Sequence, residues 1–358
     1  MLHRKQYRVA AGVTIMALAL TLTACGTQEN TGSTESVKSA ETVENTETVE
    51  SIETMENTET VKGIETMEST ETIENVEIIE AMVSESAAPQ ETANVTPQMQ
   101  PVEYTDLQQI TLDPNWEYAD HSKINSGAAV LYPAPEESGR KGIVIGVNAG
   151  HGTAGGAKVK TLCHPDGSAK VTGGSTAAGA TEAAAVSGGM TFQDGTPERE
   201  VTLRMAQILR DKLLTSGYDV LMLRDSEDVQ LDNVARTVIC NNVANCHIAL
   251  HWDSGDGKNY DKGCFYISVP EALKTMEPVA SHWQQHDTLG TDLIEGLREQ
   301  GAMIYGKGNM SIDLTQTSYS TIPSVDMELG NAYSDHSDEV LEQLATGLLA
   351  GINTYFEQ

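Results

Sequence analysis

A six-residue repeat over residues 41–82 limits where this chain can fold. Its units read ETVENT, ETVESI, ETMENT, ETVKGI, ETMEST, ETIENV and EIIEAM, and a period of six matches neither an α-helix nor a coiled-coil heptad. The repeat has no aromatic residue and up to two Glu in each unit, so it cannot bury enough apolar surface to fold. A short solenoid is the competing interpretation. We expect a disordered acidic linker over 25–104, which tethers a folded part that follows it.

The first 25 residues are typical of an export signal. Three basic residues within the first eight positions precede a mostly apolar run at 9–23, which is shorter than a membrane span of about 20 apolar residues. The four residues that end at Cys25 resemble the lipobox of bacterial lipoproteins, which are cut before a cysteine that then carries lipid. An ordinary signal with a chance cysteine is the alternative. We predict a signal peptide at 1–24 and a lipid on Cys25, which would hold the protein on the outer face of the membrane.

The charge of the chain argues against nucleic acid as a partner. The formal net charge is −30. Residues 26–104 hold 18 Asp and Glu against two Lys, and residues 105–358 hold 34 acidic against 17 basic residues. Both regions would therefore repel a phosphate backbone.

Four cysteines remain beyond Cys25, and their spacing lacks the short paired pattern of a structural zinc site. In an exported chain they could form disulfides, but several lie in apolar runs. We expect buried free thiols at Cys163, Cys240, Cys246 and Cys264.

Predicted strands and helices alternate after position 141, which indicates one α/β domain over 141–358. Residues 105–140 form a lead-in without a clear pattern. Strands are predicted at 142–147, 218–223, 247–251, 264–268 and 324–329. Helices are predicted at 198–215, 232–243, 288–299 and 338–356, the first of them with Thr196 as its N-cap.

Two histidines follow predicted strands of this domain. His151 comes after the strand at 142–147, and His251 ends the strand at 247–251. Ligands of open α/β sheets collect at the carboxyl ends of the strands, so both are candidate metal ligands. His247 shares a face with His251 but lies roughly 13 Å away at the start of the strand, and we interpret it as structural.

Helix phase selects a third ligand. Glu198 extends the apolar stripe of the helix at 198–215 by one turn, whereas Glu200 falls on the polar face. A glutamate in the first turn of a helix also interacts favourably with the helix dipole. This interaction does not explain why Glu198 lies on the buried side of the helix.

Glu328 is the last acidic residue before the strand at 324–329 ends, and Asp326 shares its face two residues deeper. The alternative is that Glu328 is a solvated glutamate at the end of a strand, without a role in catalysis. Two imidazoles and one carboxylate with a fourth position open are the ligands of a catalytic zinc. A nearby unligated glutamate, here Glu328, can carry a proton from water to a leaving amine.

Several segments together resemble the zinc-dependent N-acetylmuramoyl-L-alanine amidases of bacterial cell walls, the type 3 class. The resemblance extends from about position 142 to about 356. The segments that carry it are 148–152, 195–203, 220–225, 231–241, 249–253 and 322–330.

This resemblance implies a single three-layer domain, in which a twisted, mostly parallel or mixed sheet is flanked by helices. It implies one Zn²⁺ bound by His151, Glu198 and His251, with Glu328 as the catalytic acid and base. The implied partner is peptidoglycan, and the bond cut is the amide between N-acetylmuramic acid and L-alanine. We expect a monomer.

The connection between His151 and Glu198 is longer than in the family, and it is rich in Gly and Ala. A long connection inside a compact domain is usually functional, and this one joins two ligands. We expect the insertion, residues 153–194, to border the site as a wall or a lid. Cys163 and His164 lie in it and are weaker ligand candidates.

Other functions remain open from the sequence. A zinc peptidase that cuts stem peptides would use the same site. A solute-binding lipoprotein would fit the lipobox and the charge but would not need four ligand-type residues at one crevice. A catalytically inactive wall binder is disfavoured because all four residues are present.

Overall fold

The computed structural model describes residues 106–255, 257 and 259–357. The predicted signal peptide, Cys25 and the acidic repeat lie outside these residues. The strands are β1 Gln108–Ile110, β2 Ala129–Tyr132, β3 Val144–Ala149, β4 Lys160–Leu162, β5 Glu182–Ala184, β6 Asp219–Met222, β7 Cys246–Asp253, β8 Cys264–Ser268, β9 Ile304–Ser311 and β10 Ser324–Asn331. The α-helices are α1 Glu198–Thr215, α2 Asn233–Val243, α3 Val279–Glu299, α4 Thr315–Tyr319 and α5 Asp338–Phe356.

A mixed eight-stranded sheet organises the domain, in the order β1-β2-β6-β3-β7-β10-β8-β9. The four central strands, β6, β3, β7 and β10, run parallel to one another. Strand β2 joins β6 antiparallel and β8 joins β10 antiparallel, while the outermost β9 runs parallel to β8. This arrangement confirms the predicted α/β class with a mostly parallel, mixed sheet.

Helices cover both faces of the sheet. One face packs on α1, α3 and α5, and the other packs on α2 and α4. Alternate residues of a strand point to opposite faces, so Ile248 and Leu250 of β7 are fully buried in the larger core with α1 and α5. The predicted three layers are therefore present.

The same alternation sends polar residues of β7 and β10 to the face of α2. In the parallel register of the two strands, Glu328 lies beside His251 and Asp326 lies beside Ala249. The carboxyl ends of the central strands thus bring the predicted site residues to one edge, where α1 begins.

The lead-in before position 141 is part of the sheet, because it supplies β1 and β2. Two buried aspartates fix it to the domain. Asp219 accepts hydrogen bonds from Arg140 and from the Ala134 amide. Asp232 accepts from the backbone amides of residues 123 and 124.

Some local predictions need correction. Pro197 rather than Thr196 is the N-cap of α1, and it makes no side-chain capping bond. Helix α3 begins at Val279, well before the predicted position 288. The four cysteines of the domain are buried and unpaired, as predicted. Within the described part of the chain, no helix has both the length and the apolarity to cross a membrane.

Candidate metal centre

His151, Glu198 and His251 converge on one point at the carboxyl edge of the sheet. His151 Nε2 lies 2.8 Å from Glu198 Oε1, and His251 Nδ1 lies 3.1 Å from the same oxygen. The two ring nitrogens are 3.1 Å apart. The described residues place these three side chains in one group suited to a metal ion. The convergence of the three residues agrees with the sequence prediction.

His151 lies in a tight turn after β3, with a left-handed backbone (φ 65°). Two buried arginines hold this turn. Arg236 of α2 donates to the His151 carbonyl at 2.7 Å, and Arg224 donates to the carbonyls of Ala149 and Gly150.

Burial lowers the pKa of Arg236 to about 9 and that of Arg224 to about 10. Both arginines are therefore still charged at neutral pH. Neither arginine was predicted from the sequence to have a role, although both lie in segments that resemble the amidases. Their burial beside the turn that holds His151 is visible only in the folded structure.

Glu198 is the first residue of α1 and is 3% exposed. Its Oε1 accepts a hydrogen bond from the Trp252 amide at 3.0 Å, and its Oε2 accepts one from the Met190 amide at 2.8 Å. Burial alone would raise its pKa, but hydrogen bonds from His151 and His251 outweigh burial and hold the pKa well below its ordinary value. Glu198 is thus an anion, which is the form in which a carboxyl group binds a metal ion.

His251 lies near the end of β7, and the backbone of Gly150 packs so closely on its ring that a Cβ there would overlap it. Burial alone would lower the pKa of His251. The charges of Asp326 and Glu198 oppose burial and raise the pKa to about 10. The negative charges that raise the pKa of His251 would also attract a divalent cation.

Glu328 and Asp326 line the cleft beside His251. Asp326 Oδ2 lies 3.8 Å from His251 Nε2. Among the described residues, Glu328 Oε2 and Asp326 Oδ1 are buried without a hydrogen-bond partner. Burial raises the pKa of both carboxyls, and the charge of Asp326 raises that of Glu328 further. Sequence reasoning noted Asp326 only as a deeper neighbour on the same face.

The cleft has a volume of about 640 Å³, and the insertion forms one of its walls. The prediction that the insertion borders the site is confirmed. Cys163 and His164 are not among the metal-binding group. His164 instead bonds Asp313 at 2.9 Å, and both side chains are fully buried. His247 also lies outside the group; it is fully buried, as its structural assignment requires.

Comparison with known proteins places this geometry in a family. The model of the N-acetylmuramoyl-L-alanine amidase family matches residues 145–352. The N-acetylmuramyl-L-alanine amidase Ami1 from Mycobacterium smegmatis is similar in structure, with a TM-score of 0.50 and 17% identity over 60% of this chain and 97% of that one. The apo form of Ami1 from Mycobacterium abscessus gives a TM-score of 0.49 and 19% identity over 60% and 99% of the two chains. No curated protein matches the chain significantly. Because the family model spans more than half of its residues, the chain belongs to the N-acetylmuramoyl-L-alanine amidase family, whose members are peptidoglycan hydrolases.

Proposed function

We propose that this chain uses one zinc ion to hydrolyse the amide between the lactyl group of N-acetylmuramic acid and L-alanine. The observation that carries the proposal is the triangle of ligand atoms on His151, Glu198 and His251. Its sides measure 2.8, 3.1 and 3.1 Å. Tetrahedral zinc with bonds of about 2.0–2.2 Å needs ligand atoms roughly 3.3–3.6 Å apart, so small shifts of the three side chains would admit the ion. Two nitrogens and one oxygen are also a donor set that suits zinc.

A zinc ion held by His151, Glu198 and His251 would supply Lewis acidity for the substrate carbonyl and would lower the pKa of a nearby water. Glu328 is our proposed acid and base. Glu328 lies beside His251 in the register of β10 and β7 and lines the cleft. Burial raises the pKa of its carboxyl well above the ordinary value, which is the direction that general acid catalysis by a carboxyl requires. Glu328 would accept a proton from the attacking water and deliver it to the nitrogen of the leaving alanine.

The direct test is the identity of the products from purified peptidoglycan. An amidase releases intact stem peptides with new N-terminal alanine, which end-group labelling and mass spectrometry detect. New N-termini within the stem peptide would show a zinc peptidase instead and would reject the proposed bond.

We further propose that Cys25 carries a lipid that holds the monomeric enzyme on the outer face of the membrane. The apolar run and the residues that end at Cys25 support this proposal. In a bacterial host, labelled fatty acid should be incorporated into the wild-type chain and not into a Cys25→Ala variant. Equal labelling of the two chains would reject the anchor.

A further inference from the structure

We infer that residues 187–190, at the end of the insertion, form a ligand clamp that holds His151 and Glu198 in the geometry for metal binding. The inference rests on the zinc site proposed above. The clamp lies outside the set of residues that contact the ion, so it would act by positioning the ligands.

The first contact of the clamp sets the tautomer of His151. The Ser187 carbonyl lies 3.0 Å from His151 Nδ1, and the Ser187 hydroxyl lies 3.1 Å from the same nitrogen. A carbonyl only accepts, so Nδ1 carries the hydrogen and donates it. With Nδ1 committed to this bond, Nε2 is the ring nitrogen that faces Glu198 and His251, and its lone pair is available to a metal ion once one binds there.

The second contact orients Glu198. The Met190 amide donates to Glu198 Oε2 at 2.8 Å, and the Glu198 amide donates to the Met190 carbonyl at 3.1 Å. This reciprocal pair ties the end of the insertion to the start of α1. It also leaves Oε1 directed at the two imidazoles.

Gly189 lies between these contacts, and its lack of a side chain is required. Its backbone is left-handed (φ +80°), and a Cβ would lie 2.9 Å from His151 Cδ2 and 3.0 Å from Glu198 Oε2. A methyl group would therefore press on two ligands at once. The preceding Gly188 has open space at its Cβ position.

The rest of the insertion fixes the clamp to the domain. The Asn233 amide of α2 donates to the Ala185 carbonyl at 3.1 Å. Nearer the start of the insertion, Asp313 accepts a hydrogen bond from His164 at 2.9 Å and another from the Val171 amide at 2.7 Å. These attachments at several points, of which the bond between His164 and Asp313 is fully buried, are those of a fixed wall that can hold ligands in place.

The test compares the zinc affinity of Gly189→Ala with two matched variants, measured by competition with a chromophoric chelator. We expect Gly189→Ala to bind zinc about 10- to 100-fold more weakly than wild type, the range for lost outer contacts. Its cobalt-substituted form should also show an altered visible spectrum. Gly173→Ala controls for the added methyl, because Gly173 lies outside the clamp and only the Ala178 amide nitrogen, at 3.9 Å, is near its Cβ position. Gly179→Ala controls for backbone strain, because Gly179 has φ +86° with nothing near its Cβ position.

Equal affinity of Gly189→Ala and Gly179→Ala would overturn the clamp while leaving the zinc site standing. Failure of the wild-type chain to bind zinc would instead reject the proposed function and the clamp together. A second measurement needs no variant. Nitrogen-15 NMR of the zinc-loaded wild type should show His151 with Nδ1 protonated and Nε2 bound to zinc, and the reverse assignment would also overturn the clamp.

Discussion

Glu198 and Glu200 stand two positions apart in α1, yet their surroundings differ completely. Glu198 is 3% exposed among the ligands, whereas the Glu200 side chain is 55% exposed and faces Arg199. We predict that Glu198→Gln weakens zinc affinity by more than about 100-fold, because a ligand contributes more than an outer contact. The matched Glu200→Gln variant should bind zinc as wild type does. Chelator competition measures both, and equal affinities would remove Glu198 from the site.

Glu328 should separate catalysis from metal binding. In Glu328→Gln the triad is intact, so the variant should keep one zinc per chain. Its kcat should fall by about 10²- to 10⁴-fold, which is the usual contribution of a positioned acid and base. Metal analysis and initial rates on peptidoglycan check the two halves of this prediction. A Glu328→Gln variant that binds zinc and keeps the wild-type kcat would show that Glu328 does not transfer the proton.

The burial of His247 should make the stability of the protein depend on pH. Burial lowers the pKa of His247 to about 3, whereas an unfolded histidine titrates near 6.5. Between these values the unfolded chain binds the extra proton, so the free energy of unfolding falls as pH falls. Neither ring nitrogen of His247 has a hydrogen-bond partner in the described structure, so His247→Met removes the titration without breaking a bond.

Urea unfolding between pH 6 and pH 4 checks this prediction. The stability of His247→Met should fall less steeply than that of wild type, by roughly 1.4 kcal/mol for each pH unit. Parallel curves for wild type and His247→Met would contradict the assignment of His247 as a buried neutral group.

At the scale of elements, the buried carboxylate of Asp313 is one of the attachments that hold the insertion to the rest of the domain. Asp313 is fully buried and accepts hydrogen bonds from His164 and from the Val171 amide. Its loss leaves buried donors without a partner, so Asp313→Ala should lower the free energy of unfolding by about 3 kcal/mol. Urea unfolding in the presence of chelator isolates this effect from metal binding. No change in stability would mean that the insertion is held elsewhere.

The elements that sequence predicted well share a strong pattern. Helix α1 and helix α5 have long apolar stripes with clear ends, and strands β7, β8 and β10 are short apolar runs beside punctuating residues. The missed elements lack such patterns. Strands β1, β4 and β5 have three residues each, and β9 contains Gly306 and Gly308, which weaken strand propensity.

The convergence of the three proposed metal ligands was predictable because each lies at or near the boundary of a regular element. Strand ends gave His151 and His251, and helix phase gave Glu198. The hydrogen bonds that position His151 and Glu198 were not predictable. They involve backbone groups of Ser187 and Met190, which lie in a segment without periodicity. Their partners become visible only once the insertion is folded against α1.

At the scale of the whole molecule, the fold brings together residues from the turn after β3, the start of α1, and the ends of β7 and β10. Their negative field, seen in the raised pKa of His251, favours a cation where the four segments meet. If these segments hold the catalytic metal, activity must follow metal occupancy.

A zinc titration of the metal-free chain tests this claim most directly. The chain is stripped with chelator, and release of N-terminal alanine from peptidoglycan is followed as zinc is added. We predict negligible activity without zinc and a linear recovery that levels off at one equivalent per chain. Full activity of the stripped chain, or no recovery at one equivalent, would contradict a zinc amidase built on His151, Glu198 and His251.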